Sequence, residues 1–313
     1  MKKSKKIIIT GAAGLVGQNL IITLKNNGYN NIVAIDKHSK NIEILKNMHK
    51  DINIIESDLA ESGIWVNSFE GADIVIMLHA QIGGLTIEPF IRNNIIATKN
   101  VIDAMKKYQI NYLIHISSSV VNSVADDFYT NTKKEQEKLV IECGIDYCML
   151  RPTLMFGWFD RKHLGWLSRF MEKVPIFPIP GNGKYIRQPL YVIDFCNIIT
   201  SAMEKKPENK IYNITGKEQI HYIDIIKTIK KVKKSRTLII KIPYFLFYFL
   251  LFAYSLFDSN PPFTTQQLKA LVAHDIFELI PWWNIFDVEP TPFEVAIEET
   301  FNHPIYSKIV LEF

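Results

Sequence analysis

Three consecutive serines, Ser117-Ser118-Ser119, stand upstream of Tyr129-Thr-Asn-Thr-Lys133, and this pairing of residue types defines a chemistry. On a helix, Tyr129 and Lys133 share one face. A phenol with an ordinary pKa near 10 is a poor base at neutral pH. An ammonium beside it favours the phenolate and lowers that pKa. Tyr129 can then exchange a proton with a substrate hydroxyl while a hydride moves to or from a redox cofactor. A serine at the end of the preceding strand can hydrogen-bond the same oxygen. Tyr129 and Lys133 are therefore the expected proton-transfer pair, with one of the three serines on the same oxygen.

A hydride carrier must be held against that tyrosine, and the N-terminal half has the elements to do so. Ile7-Ile-Ile-Thr-Gly11-Ala-Ala-Gly14-Leu-Val-Gly17 reads as a strand, a glycine turn and a helix start. Gly11 permits the turn, Gly14 lets backbone approach a pyrophosphate, and Gly17 lets helix and strand pack closely. The helix N-terminus presents unpaired N–H groups to the phosphates. Asp36, ending the second apolar run, can accept from ribose hydroxyls and would repel a 2′-phosphate, which points to NAD. Lys37 and His38 beside it could tolerate such a phosphate. Asp58, after the third run, is placed to reach the adenine edge or to cap a helix.

Strands are predicted at Ile7–Thr10, Ile32–Asp36, Ile52–Ile55, Asp73–Leu78, Tyr112–Ser117 and Asp146–Leu150, with helices at 14–27, 91–107 and 130–143. Alternating strands and helices predict a Rossmann-type α/β fold with a doubly wound parallel sheet. The boundary falls near residue 150. A smaller, mostly helical substrate-binding cap is expected over 151–313, with 187–205 returning to the first domain and a strand near 211–214.

The chain has 313 residues, 48% of them hydrophobic and 22% charged, with a formal net charge of +4. Such a balance belongs to a folded globular protein and not to a dedicated nucleic-acid binder, though it suits an anionic substrate. The basic opening residues precede only a short apolar run, so the start reads as a strand and not as a signal peptide. Cys143, Cys148 and Cys196 form no C-x-x-C pair, which suggests a reduced, cytoplasmic setting. His79, His115, His163 and His303 lack metal-ligand spacing, so no metal site is expected. The backbone of His79 should border the cofactor.

The chain resembles the extended short-chain dehydrogenase/reductase superfamily, of the NAD-dependent epimerase/dehydratase type. The matching pieces are GAAGLVG, the acid at 36, Ser-Asp-Leu at 57–59, Leu-His-Ala at 78–80, Asn94 to Val101, Ile-Ser-Ser-Ser, Y-T-N-T-K, Leu-Arg-Pro at 150–152 and Arg187 to Asp194. The resemblance implies that NAD is lined by Gly11, Gly14, Leu15, Val16, Gly17, Asp36, Asp58, Leu59, His79, Ala80, Asn94, Ser117, Tyr129, Lys133 and Pro152. The resemblance makes Ser119, Tyr129 and Lys133 the catalytic trio, with Lys133 also touching the nicotinamide ribose. It further implies that Ser118, Ser119, Thr153 and Arg187 bind substrate, Arg187 at the diphosphate of a nucleoside-diphosphate sugar, and that two copies pair through 91–107 and 130–143. This sequence departs from the pattern in a shortened Ser119–Tyr129 segment without V-Y-G, and in lacking an asparagine after Arg151-Pro152. An epimerase reading follows, because no dehydratase acid pair follows the serines. A lipid-linked sugar, an apolar carbonyl substrate, and a non-catalytic NAD-binding assembly role are the alternatives.

Ile242 to Phe257 carry no charge and follow Lys227, Lys230, Lys231, Lys233, Lys234, Arg236 and Lys241. A helix apolar on all sides is expected to pack in the cap or at a dimer contact. Adsorption to an anionic membrane surface is the alternative. Trp282, Trp283 and Phe286 are expected in the core of the cap.

Overall fold

The structure is a computed structural model that describes residues 4–256, 264–273 and 276–312; Phe257, at the end of the apolar run, lies outside them. Seven parallel strands form the main sheet: β1 (Ile7–Thr10), β2 (Ile32–Asp36), β3 (Asn53–Glu56), β4 (Ile74–Met77), β5 (Tyr112–Ile116), β6 (Asp146–Pro152) and β11 (Lys210–Ile214). Their spatial order is β3-β2-β1-β4-β5-β6-β11. The order reverses between β1 and β4, and a sheet of this kind opens its ligand crevice at that point, beyond the carboxyl ends of the strands.

Both faces of the sheet are covered, which explains the unbroken apolar runs. Ile7 and Ile9 face one core with Leu20, Leu24, Phe195 and Ile199. Ile8 faces the other with Val75, Val101, Met105 and Val140. The first layer is built by α1 (Leu15–Asn26) and α7 (Val192–Lys205). The second contains α4 (Ala97–Lys107) and α5 (Phe128–Glu142). Between β2 and β3 runs α2 (Ser39–Met48). A short turn, α3 (Glu88–Phe90), and a π-helical stretch at Ile91–Ile96 lead into α4, extending the predicted helix toward the N-terminus. Gly28 and Gly144, after α1 and α5, have φ of +85° and +76°, the left-handed conformation that closes a helix.

Beyond β6 the chain leaves the sheet through the parallel pair β7 (Met155–Phe156) and β10 (Leu190–Tyr191). The cap has α6 (Leu164–Lys173) and two small ribbons: β8 (Ile176–Pro180) with β13 (Leu238–Ile242), and β9 (Ile186–Arg187) with β12 (Ile220–His221). It is completed by α8 (Tyr222–Val232), α9 (Tyr244–Ser255), α10 (Thr265–Val272) and, later in the chain, α12 (Phe293–Asn302). Phe156, Met171, Phe177, Ile226 and Ile297 share its core.

The return to the sheet reaches further than 187–205, because β11 is its seventh strand. In α11 (Trp282–Phe286), Trp282 and Phe286 are buried, but in the core shared with α1 and α7 and not in that of the cap. Trp282 Nε1–H donates to the Thr215 carbonyl, and Phe286 packs edge-on to Tyr212 of β11. Aromatic spacing identified these residues as core without revealing which core. Of the two places expected for the apolar run, the cap or a dimer contact, the cap core does not receive it: α9 buries none of its residues, and its Tyr248 ring meets Lys269 of α10. The cap core closes around α6, α8 and α12 without it.

Candidate active site

Glycine sterics shape the first wall of the crevice. Gly11 sits at φ +68°, and a Cβ there would meet the His79 backbone N at 2.6 Å, since the chain leaving β4 crosses directly over it. A Cβ on Gly17 would meet the Ala12 carbonyl oxygen at 2.4 Å, so helix and loop pack on bare backbone. At Gly14, by contrast, a Cβ would make only an ordinary contact, at 3.4 Å from the Gly11 carbonyl oxygen; the Gly14 backbone N-caps α1 in extended conformation with no side-chain cap. The first N–H groups of α1, from Leu15 and Val16 onward, thus have no side-chain acceptor at the helix end where an anion is favoured.

Asp36 locks this loop. Its Oδ2 accepts from Ala13 N–H at 2.9 Å, and its Oδ1 accepts from Lys37 N–H at 2.7 Å and His38 N–H at 3.1 Å. Besides any ribose contact, it ties the end of β2 to the glycine turn. Asp58 accepts from Ala60 N–H at 2.9 Å and pairs with both Lys37 and Arg92. Burial alone would raise the Asp58 carboxyl, but the Ala60 hydrogen bond and the two cations hold it below the usual value. Lys37 also donates to Asn93 Oδ1 at 2.6 Å, so its ammonium is committed to groups of the protein. Leu59 is buried, and its carbonyl accepts from Asn100.

His79 spans the crevice floor, its Nδ1 2.8 Å from Thr10 Oγ1 and its Nε2 3.3 Å from Thr98 Oγ1. Burial, with Lys133 nearby, depresses its pKa to about 3, so the ring is neutral. The loop carrying Ala80 is pinned by Asn94, whose Oδ1 accepts from Gln81 N–H at 2.6 Å and whose Nδ2 donates to Thr132 on α5 at 3.0 Å. Ser117 Oγ is buried without a hydrogen-bond partner among the described residues. An uncapped helix end, a glycine turn with no side chain over it and an orphaned hydroxyl at the crevice fit a dinucleotide.

The second wall is α5, capped by Asp127, which accepts from Thr130 N–H at 2.8 Å. This start brings Tyr129 to the end of β5, near Ser118, whose hydroxyl favours the phenolate. Ser119, the serine expected to do this, opens the short 3₁₀ turn Ser119–Asn122. Burial pushes the Tyr129 phenol above its ordinary value, the Ser118 hydroxyl opposes the rise and Asp127 adds to it. The expected depression by Lys133 is not present here. The fully buried Lys133 ammonium instead donates to the Ile116 carbonyl at 3.0 Å and to Gln136 Oε1 at 2.5 Å. Burial lowers its pKa to about 7, against an opposing pull from Glu137.

Gln136 and Thr98 were missed by the sequence reading. Gln136 Nε2–H donates to Thr98 Oγ1 at 2.8 Å, completing a buried chain Lys133–Gln136–Thr98–His79–Thr10 between α5 and the glycine loop. Its place three residues after Lys133, on the same helix face, was the available signal. Arg151 forms a two-pronged pair with Glu137, at 2.8 and 2.6 Å, tying α5 to β6. Such forks fix geometry as well as adding energy.

The substrate-side expectations are less assembled. Arg187 donates to the Ala273 carbonyl at 2.6 Å and to the Leu271 carbonyl, at the C-terminal end of α10. Thr153 is buried, its hydroxyl 3.4 Å from both Gln188 O and Thr215 Oγ1, next to Pro152 at the end of β6. Neither side chain joins Tyr129 and Ser118 in this arrangement.

The fold and this crevice define a short-chain dehydrogenase-type enzyme with a dinucleotide cofactor. The chain belongs to the NAD dependent epimerase/dehydratase family, whose model matches residues 7–215. NAD is thus the cofactor of its family. Among curated proteins it is 25% identical over 260 residues to an uncharacterized UDP-glucose epimerase of Bacillus subtilis, covering 72% of this chain and 82% of that protein. UDP-glucuronic acid 4-epimerase from Bacillus cereus, solved with NAD, superposes with a TM-score of 0.71 at 23% identity, covering 95% of this chain and 98% of that one. The dTDP-glucose 4,6-dehydratase of Bacillus anthracis, also solved with NAD, gives 0.73 at 17% identity and 96% of both chains. At these identities the two structures speak for the fold.

Proposed function

We propose that the protein is an NAD-dependent epimerase of a nucleoside-diphosphate sugar. The observation that carries the reading is the placement of Tyr129 near Ser118 at the mouth of β5, across the strand-order reversal from the glycine loop, where the Ser118 hydroxyl favours the phenolate. When bound, NAD supplies a hydride acceptor and then a donor. Tyr129 takes the proton of the sugar hydroxyl being oxidised and returns it when the ketone is reduced from its other face. Ser118 and Ser119 hold the same oxygen. Lys133 supports the phenolate once its ammonium turns from Gln136 toward Tyr129. Asp36 and the self-paired Lys37 favour NAD over NADP, because neither offers a free cation to a 2′-phosphate.

Arg187 is assigned to the sugar diphosphate, which it reaches by exchanging the α10 carbonyls for phosphate oxygens. Two copies are assigned a contact through α4 and α5, testable by light scattering. Three free, buried cysteines suit a reducing compartment. Incubating the protein and NAD with a panel of nucleoside-diphosphate hexoses, followed by chromatography and mass spectrometry, tests the reading. An isomer of unchanged formula is expected. Loss of water instead would make it a dehydratase, and accumulation of NADH a dehydrogenase.

A further inference from the structure

From α9 and the strand that leads into it, we infer an interaction surface whose partner is a bilayer carrying anionic headgroups. The inference is independent of the catalytic reading. No residue of α9 is buried, yet the helix reads Tyr-Phe-Leu-Phe-Tyr-Phe-Leu-Leu-Phe-Ala-Tyr-Ser. Phe245 is 75% exposed, Phe249 62% and Leu250 51%. The apolar exposure begins earlier, because Leu238 and Ile240, alternate residues on one face of β13, and their neighbour Ile176 on β8 are exposed too. A contiguous apolar surface of this kind marks a binding site.

Charge selects the occupant. Around this strip Asp224, Glu172 and Glu294 are already paired with Lys227, Lys233 and Lys231. Lys234, Arg236 and Lys241 are exposed and form no ion pair among the described residues. What remains is a rim of uncompensated cations beside aromatic and aliphatic side chains. A second copy docked on this face would bring two such rims together. An anionic headgroup layer compensates them, while the acyl region receives the apolar side chains.

The geometry sets the depth. Twelve residues of helix are about 18 Å long, well short of the roughly 30 Å hydrocarbon core, and no helix among the described residues is long and apolar enough to cross a membrane. The helix therefore lies within one leaflet, with Tyr244, Tyr248 and Tyr254 suited to the interface.

The test is flotation of the full chain with vesicles of phosphatidylcholine containing phosphatidylglycerol, against phosphatidylcholine alone. The protein is expected to float with the anionic vesicles and to be partly released by salt. Phe245→Ser/Phe249→Ser/Leu250→Ser, at exposed positions, should remain at the bottom with an unchanged melting temperature. Lys234→Gln and Lys241→Gln should each lower the partition coefficient about fivefold. The inference is overturned if wild type does not float with anionic vesicles, or if the triple variant floats equally well. It is also overturned if light scattering shows that the triple variant abolishes a dimer while vesicles bind neither protein.

Discussion

The cofactor wall and the substrate wall of the crevice differ in how completely they are built. On the cofactor side the decisive contacts are backbone on backbone: Gly11 beneath His79, Gly17 against Ala12, and Asp36 on the N–H groups of the loop. None of these has an alternative arrangement within the fold. On the substrate side the decisive groups are ends of long side chains, and each has found a partner inside the protein: Lys133 on Gln136, and Arg187 on α10. On the proposed reading, steric requirements shape the cofactor side, whereas the long cations of the substrate side would leave their internal partners only for a better anion or acceptor.

Substitutions can break this contrast, beginning with its rigid side. Gly11→Ala places a Cβ against the His79 backbone at a positive φ. We expect NAD affinity to fall at least about a hundredfold, or roughly 3 kcal/mol, by calorimetric titration; unchanged affinity would mean that the loop can yield. Tyr129→Phe should reduce turnover by about 10²–10⁴-fold, with NAD binding and melting temperature unchanged. Full retained activity would remove Tyr129 from the chemistry.

The flexible side gives smaller, more diagnostic effects. Arg187→Ala should raise KM for a sugar nucleotide about tenfold or more, the worth of a charge-assisted hydrogen bond, with little change in kcat. An unaltered KM would show that Arg187 serves α10 alone. Gln136→Leu leaves the Lys133 ammonium with the Ile116 carbonyl as its remaining partner and should cost about 1–3 kcal/mol of stability in chemical denaturation. It should also shift the pH profile of kcat, which a purely structural role would not do.

A separate check concerns acid stability. Burial, reinforced by Lys25, depresses the His49 pKa to about 4, and His79 lies at about 3. Both are neutral in the fold and take up protons on unfolding below the ordinary histidine value near 6.5. Stability is therefore fully present above pH 6.5 and falls as pH drops toward 4. Denaturation midpoints across that range check it, and a flat profile would contradict the neutral, buried rings.

What was legible in the sequence follows the same division. The strands, the glycine loop, Asp36 and the positions of Tyr129 and Lys133 were readable because periodicity and backbone sterics act locally. The nearness of Ser118 to Tyr129, the Gln136 chain and the α10 hold on Arg187 were not, since each depends on which side-chain end meets which partner across the fold. The same limit hid β11, whose strand pattern says nothing of the sheet it joins. It also hid the exposure of α9, whose composition alone suits a buried helix equally well.

The most direct test of the preformed cofactor wall is calorimetric titration of the protein, without any sugar nucleotide, with NAD and then with NADP. The account predicts that NAD binds with no sugar present and that NADP binds much more weakly, because Lys37 is held by Asp58 and Asn93. Equal affinity for both, or NAD binding only after a sugar nucleotide is added, would contradict it.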